Sequence, residues 1–212
     1  MDILSQAHRG VVAAPEGDQA GDAGVEAELA RLRAQVALLE AERAALWWET
    51  NHDELTGLAN RRRLNALGPK LLGRTGRCAV VVLDLNGFKP INDRYGHAVG
   101  DQVLRTVGGR LSRCVGNDLA VRLSGDEFAA ILTETPPAGP GPGGHWTAPV
   151  SAIADAIAEP MTIDDTELTV TASIGVATAD GGTTTIAELI RRADLAMYRA
   201  KANRYCSYVV WD

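Results

Sequence analysis

The sequence is short of cysteine, of basic residues and of long apolar runs, and each shortage excludes something. Its three cysteines, Cys78, Cys114 and Cys206, are odd in number, and no two stand at C-x-x-C spacing. A disulfide framework and a structural zinc site are therefore not expected, and a reducing compartment fits. Lys and Arg total 21 against 27 Asp and Glu, a formal net charge of −6. No basic excess is available for non-specific nucleic-acid binding, so no nucleic-acid partner is expected. No run of about 18 apolar residues is present, which argues against a membrane span. The opening MDILSQAHRG lacks a basic stretch leading into an apolar one, so no secretory signal is expected. Together these shortages point to a cytoplasmic location.

What is present suits one ordinary domain with an accessory segment, since the chain has 212 residues with a globular balance of apolar and charged side chains. Residues 1–24, rich in Ala, Gly, Asp and Glu without periodicity, are expected to be a disordered tail. Val25, Leu29, Leu32, Val36, Leu39 and Leu46 then follow alternating steps of four and three, with Arg43 in the one polar place. That is an a/d seam of about three heptads. Residues 25–50 are expected to form a helix that either joins a second copy as a coiled coil or packs on its own domain.

Residues 51–212 are expected to be the single folded domain. A helix is predicted over 60–72, where Asp53 or Thr56 is a candidate cap. The apolar run RCAVVVLDL (77–85) suits a buried strand. Another helix is predicted from about 100 to 114, followed by a hairpin at RLSGDEF (122–128). Residues 133–149, rich in Pro and Gly, are expected to be an irregular loop. A helix near 150–158, a strand over 167–177, a helix over 185–203 and a last strand SYVVW complete the chain. Strands alternating with helices around one hairpin predict an α/β fold, a mixed sheet covered by helices.

The acidic residues suggest the chemistry. Asp84 ends the apolar strand, at a sheet end where ligand clefts form. Asp126 and Glu127 sit at the hairpin tip. If the hairpin lies beside the Asp84 strand, three carboxylates converge and repel. A hard cation resolves this, and Mg²⁺ takes a few carboxylates together with substrate phosphate oxygens. Lys89 follows five residues after Asp84, within reach of the same phosphates. Asn92 and Asp101 pair an amide with a carboxylate, a combination suited to the N1–H and N2–H₂ donors of guanine. His97 in the same loop is read as structural. Lys201 and Arg204 offer either further phosphate contacts or the basic end that a helix dipole favours.

Five segments now carry a resemblance: DELTGLANRRRL, LDLNGFKPINDRYGHAVGD, RLSGDEFA, ASIGVA and ADLAMYRAK, in that order across residues 51–212. They are similar to the successive signatures of the GGDEF-domain diguanylate cyclases. The resemblance implies a nucleotide-cyclase palm fold (α+β), with a mostly antiparallel central sheet wrapped by helices. It implies condensation of two GTP into cyclic di-GMP with release of pyrophosphate. Asp84, Asp126 and the Leu85 carbonyl would hold Mg²⁺, with Mn²⁺ as a substitute. Glu127 would be a second catalytic acid, either a metal ligand or a base for the 3′-hydroxyl. Asn92 and Asp101 would hold guanine, Lys89 and Lys201 would touch phosphates, and Gly125 with Ser124 would line the nucleotide. The partners implied are GTP, a second copy meeting this one through the N-terminal helix and facing catalytic domains, and an unidentified regulatory protein.

The chain departs from that pattern in four places. Ser124 replaces the first glycine of the signature, and if the position needs a positive φ a serine there costs about 1–2 kcal/mol. Asn86 stands for an aspartate, and Tyr205 for a phosphate-binding arginine that Arg204 would have to replace. The product-inhibition motif Arg-x-x-Asp falls on residues 115–118 and reads VGND. Asp118 is present, but Val115 takes the arginine's place, so feedback through this inhibitory site is expected to be weak or absent. The alternative to an active cyclase is a degenerate domain, a GTP-binding receptor or a dimerising module.

Overall fold

The computed structural model describes residues 19–75, 77–133, 144–180, 184–203 and 207–211. The chain divides into two compact units, Met1–Leu46 and Trp47–Asp212. In the first, helix α1 (Gln19–Asn51) starts inside the segment expected to be a tail. The helix extends N-terminally beyond its apolar seam over QAGDAG, because a helix already nucleated gains one backbone hydrogen bond for each further residue it fixes. The remainder of the expected tail lies outside the described residues. The seam residues Val25, Leu29, Leu32, Val36, Leu39 and Leu46 are all exposed.

The second unit is a mixed, mostly antiparallel six-stranded sheet with helices on both faces, as expected from the sequence. Its strands are β1 (Ala59–Asn60), β2 (Arg77–Asn86), β3 (Leu119–Ser124), β4 (Glu127–Thr133), β7 (Thr171–Asp180) and β8 (Tyr208–Val210). Their order is β1-β3-β4-β2-β7-β8. β2 is central and antiparallel to both β4 and β7. The side chains of β2 alternate between two cores. Ala79, Val81, Leu83 and Leu85 pack with helices α4 (His97–Val115) and α5 (Gly144–Ala158). Cys78, Val80 and Val82 face α2 (Arg61–Thr75) and α6 (Ile186–Ala202). Such burial contributes about 1.5–3 kcal/mol for each large apolar side chain. The next residue on the α6 face is Asp84.

Local chemistry sets the ends of these elements. Asn60 caps α2, its Oδ1 accepting from Arg63 N at 3.0 Å. Thr185 caps α6, its Oγ1 accepting from Glu188 N at 3.2 Å, while the Glu188 carboxylate accepts from Arg191 and Arg192. The α5 end is closed from outside by Arg110. This buried guanidinium donates to the carbonyls of Ile157 at 3.1 Å, Glu159 at 2.6 Å and Pro160 at 2.8 Å. A cation placed there also suits the negative end of the helix dipole.

Two expectations are corrected. Residues 144–149 are not loop but the start of α5. Burial of Trp146 and Val150 in the core outweighs the backbone bond that Pro149 removes. The other expected loop residues, 134–143, lie outside the described ones. The single strand expected over 167–177 is divided: β6 (Thr166–Leu168) pairs with β5 (Met161–Ile163), and β7 starts at Thr171. The β5–β6 turn is Asp164-Asp165, both at positive φ. Aspartate tolerates the left-handed region, and a two-residue hairpin of this kind needs it twice.

Candidate active site

Two strands and the turn between β3 and β4 bring the acids to one end of the sheet. Asp84 on β2 is the register partner of Glu127 on β4 and of Ser173 on β7. Directly opposed residues share a face, so Asp84 and Glu127 project on the side covered by α6. That helix packs its backbone directly against β7 at Gly175, which has no side chain. A Cβ there would fall 2.0 Å from the Ala193 carbonyl oxygen and 2.2 Å from Met197 N. One turn beyond Met197, Lys201 reaches back across the sheet end.

Lys201 Nζ donates to Asp84 Oδ1 at 2.7 Å. Asp84 is 8% exposed and therefore needs a partner. The hydrogen bond to Asp84 raises the lysine above its ordinary range; burial opposes this, and the charges of Asp84, Asp126 and Glu127 add to it. All three acids therefore act on one ammonium group. A lysine raised on folding stabilises throughout neutral pH, and the contribution is lost only as pH climbs past its ordinary range.

The hairpin tip answers the question of Ser124. The β3–β4 register shifts between Arg122 and Ser124, so the bulge absorbs one residue before the turn. Gly125 takes the left-handed conformation at φ 49, whereas the only described non-glycine residues at positive φ are Asp164 and Asp165. Ser124 therefore carries none of the anticipated strain. Its Oγ donates to Glu127 Oε2 at 3.1 Å. Leu85 N donates to the Asp126 carbonyl at 3.3 Å, holding the tip against β2.

Asn86, the second departure, is engaged by β7: it accepts from Ser173 Oγ at 2.8 Å and donates to Thr171 Oγ1 at 3.1 Å. Lys89 is exposed on helix α3 (Phe88–Tyr95), and His97 is exposed at the start of α4. Asn92 on α3 faces Gly100, the residue before Asp101. A Cβ at Gly100 would fall 1.9 Å from Asn92 Oδ1. That oxygen is buried without a hydrogen-bond partner among the described residues.

Asp118 is committed elsewhere. Its carboxylate accepts from Thr133 N at 3.1 Å and from Thr133 Oγ1 at 2.6 Å, tying the end of β4. Val115 is buried in the core. Arg204 and Tyr205 lie outside the described residues. The sequence pattern gives Arg122 no role and offers Asp53 or Thr56 as a helix cap. The structure joins them, with Arg122 Nη1 donating to Asp53 Oδ1 at 3.0 Å. A charged residue just before an acidic turn was the one available signal.

The residues suit a hard divalent cation. Asp84, Asp126 and Glu127 offer only oxygen donors. Among the described residues no group of three or more His, Cys, Asp or Glu side chains stands ready to cage a metal. Mg²⁺ needs no such cage, because it keeps water and substrate phosphates as most of its ligands.

The family model described as "Diguanylate cyclase, GGDEF domain" matches residues 50–205. The signaling protein YkoW of Bacillus subtilis is 41% identical over 165 residues, 74% of this chain and 20% of that protein. The bifunctional diguanylate cyclase/cyclic di-GMP phosphodiesterase MucR of Pseudomonas aeruginosa is 36% identical over 165 residues, 74% of this chain and 23% of that protein. The chain thus spans under a quarter of the length of these two relatives. Among solved structures, the coiled coil and GGDEF domain of DgcB from Caulobacter crescentus, in complex with c-di-GMP, has a TM-score of 0.76 at 25% identity, covering 88% of this chain and 98% of that one. The diguanylate cyclase SiaD of Pseudomonas aeruginosa, solved with its activator SiaC, has a TM-score of 0.65 at 26% identity, covering 86% and 70%. A family match over most of the sequence, with acids and lysine gathered at one sheet end, leads to one statement: this chain belongs to the GGDEF-domain diguanylate cyclase family.

Proposed function

We propose that this chain condenses two GTP into cyclic di-GMP, releasing two pyrophosphates. The observation that carries the reading is the register pairing of Asp84 with Glu127, beside Asp126 and within reach of Lys201. In each of two equivalent steps a 3′-oxygen forms a bond to the α-phosphorus of the other nucleotide, and the bond to pyrophosphate breaks. Bound Mg²⁺, held by Asp84, Asp126 and the Leu85 carbonyl, would neutralise phosphate charge and acidify the hydroxyl; Mn²⁺ suits the same donors. Glu127, oriented by Ser124, takes the 3′ proton. Asn92 and Asp101 hold guanine, while Lys89 and Lys201 meet the phosphates.

A two-fold product suits two subunits that each supply half of the site. The exposed apolar seam of α1 supports pairing with a second copy, which would raise the local concentration of facing domains. Leu32→Glu with Leu39→Glu, both on that seam, is expected to shift sedimentation toward monomer and to cut turnover. Unchanged sedimentation would remove the helix from the account. A regulatory protein acting on this helix would have the same lever.

The test is incubation of purified protein with GTP and Mg²⁺, nucleotides being separated by chromatography beside an Asp126→Ala control. Product from the unaltered chain alone supports the proposal. In the same assay, feedback by added cyclic di-GMP through this inhibitory site is expected to be weak or absent, because Asp118 is bonded to Thr133 and Val115 supplies no guanidinium. GTP binding without product would favour the second reading, a nucleotide receptor. The observation behind that reading is Tyr205 in place of a phosphate-binding arginine.

A further inference from the structure

We infer that Lys201 is an exchangeable counter-ion of Asp84, held on that carboxylate until a triphosphate takes it, so that a divalent cation and the nucleotide enter the site together rather than one ahead of the other. The inference rests on the proposed cyclase reading and deepens it. Lys201 Nζ donates to Asp84 Oδ1 at 2.7 Å. Magnesium binds carboxylate oxygens at about 2.0–2.1 Å, so an ion on the same oxygen would stand within about 5 Å of the ammonium. Both centres are positive, and both draw on one anionic oxygen. Lys201 therefore weakens the hold of Asp84 on an ion for as long as it stays.

The two side chains differ in freedom. That of Asp84 is 12% exposed and sits on the central strand β2, whereas that of Lys201 is 52% exposed and stands in the last turn of α6. An ammonium on a four-carbon stem is a point charge that re-aims by bond rotation, unlike a planar guanidinium. Arg110 has the opposite character, buried and donating to three carbonyls. An ion pair that water reaches is weak, so its loss is small beside the attraction of a triphosphate.

The neighbouring residues narrow the exchange to carboxylate against phosphate. Asn86, next on the same face of β2, is uncharged, and its amide is engaged by Ser173 and Thr171. Asp126 and Glu127 act on the Lys201 charge in addition to Asp84, so the ammonium lies in the field of all three acids. A divalent ion arriving alone has to break the Lys201–Asp84 pair, and so does a triphosphate arriving alone. When the two arrive together the pair is broken once for both. Its free energy therefore becomes a coupling between ion and nucleotide. Such coupling is reciprocal, each ligand raising the affinity for the other by the same factor.

The test uses the full chain and reads two equilibria that need no turnover. The first is the dissociation constant of Mn²⁺ for the nucleotide-free chain, from the paramagnetic resonance of the free ion. The second is the affinity for α,β-methylene GTP, whose α–β bridge resists cleavage, by calorimetry in Mg²⁺ and again in EDTA. Lys201→Met is expected to tighten Mn²⁺ by about fivefold, the upper end for an ion pair open to water. It should reduce by a similar factor the gain in nucleotide affinity that Mg²⁺ gives. Lys201→Arg keeps a counter-ion on Asp84 and should hold both quantities within about twofold of the unaltered chain. Lys89→Met removes an exposed cation of α3 and should leave the Mn²⁺ constant within the same limit. A smaller change than that in Lys201→Met, an equal tightening in Lys201→Arg or Lys89→Met, or tighter Mn²⁺ with undiminished coupling would overturn the inference. An unaltered chain that shows the coupling but makes no cyclic di-GMP defeats the cyclase reading and leaves the inference standing. Turnover without these shifts does the reverse, and a chain that holds neither Mn²⁺ nor the nucleotide overturns both.

Discussion

Asp84→Asn is expected to lower cyclic di-GMP formation by about 10³-fold or more, since in the role proposed for Asp84 it removes a metal-holding charge, a loss of several kcal/mol of transition-state stabilisation, and each 1.36 kcal/mol is tenfold in rate. The substitution preserves shape. An asparagine oxygen can still accept from Lys201 Nζ, now 2.7 Å from Asp84 Oδ1. The flanking ladder is untouched, because Asp84 pairs with Glu127 and Ser173 through its backbone. Lys201 is half exposed, so water can solvate the ammonium once its counter-charge is gone. The thermal midpoint should therefore move by only a few degrees while product formation collapses. Turnover within tenfold of the unaltered chain would remove Asp84 from the metal site. An unfolded variant would show instead that the ion pair is structural, and Asp126→Ala, on the part-exposed turn, would then carry the question.

Gly175→Ala is expected to be the most damaging single methyl group in the domain. The added Cβ would meet backbone, 2.0 Å from the Ala193 carbonyl oxygen and 2.2 Å from Met197 N, so no side-chain rotation relieves it. Overpacking a core typically costs about 1–3 kcal/mol, and a backbone clash belongs at or above the top of that range. For a chain of this size about 3 kcal/mol lowers the melting midpoint by roughly 6–12 °C. Activity should fall further than stability, because lifting α6 from the sheet withdraws Lys201 from Asp84. Gly109→Ala on α4 is the control: nothing lies within 4 Å of its Cβ position, and alanine in a helix is favoured over glycine by about 1 kcal/mol. Equal midpoints for the two variants in thermal denaturation would refute the close approach of α6.

Much of this follows from the sequence alone. The apolar run ending in Asp84 determines a buried strand with an acid at its end. SGDEF determines a turn with two acids, and the four-three spacing from Val25 to Leu46 determines an apolar helix stripe. These are local patterns, and backbone periodicity translates them directly into faces and ends. Tertiary structure decided the remainder. It turned residues 144–149 into helix, because Trp146 had a core to enter. It split the strand expected over 167–177, because Asp164 and Asp165 could take positive φ. It left Ser124 unstrained by placing a bulge before it. It also chose the partners of the charged residues: Lys201 with Asp84, 117 positions apart, and Arg122 with Asp53, 69 apart. A sequence announces which residues are charged and which end an element. Which opposite charges meet depends on strand order and on how closely a helix can approach the sheet, and here that approach is set by the missing side chain of Gly175.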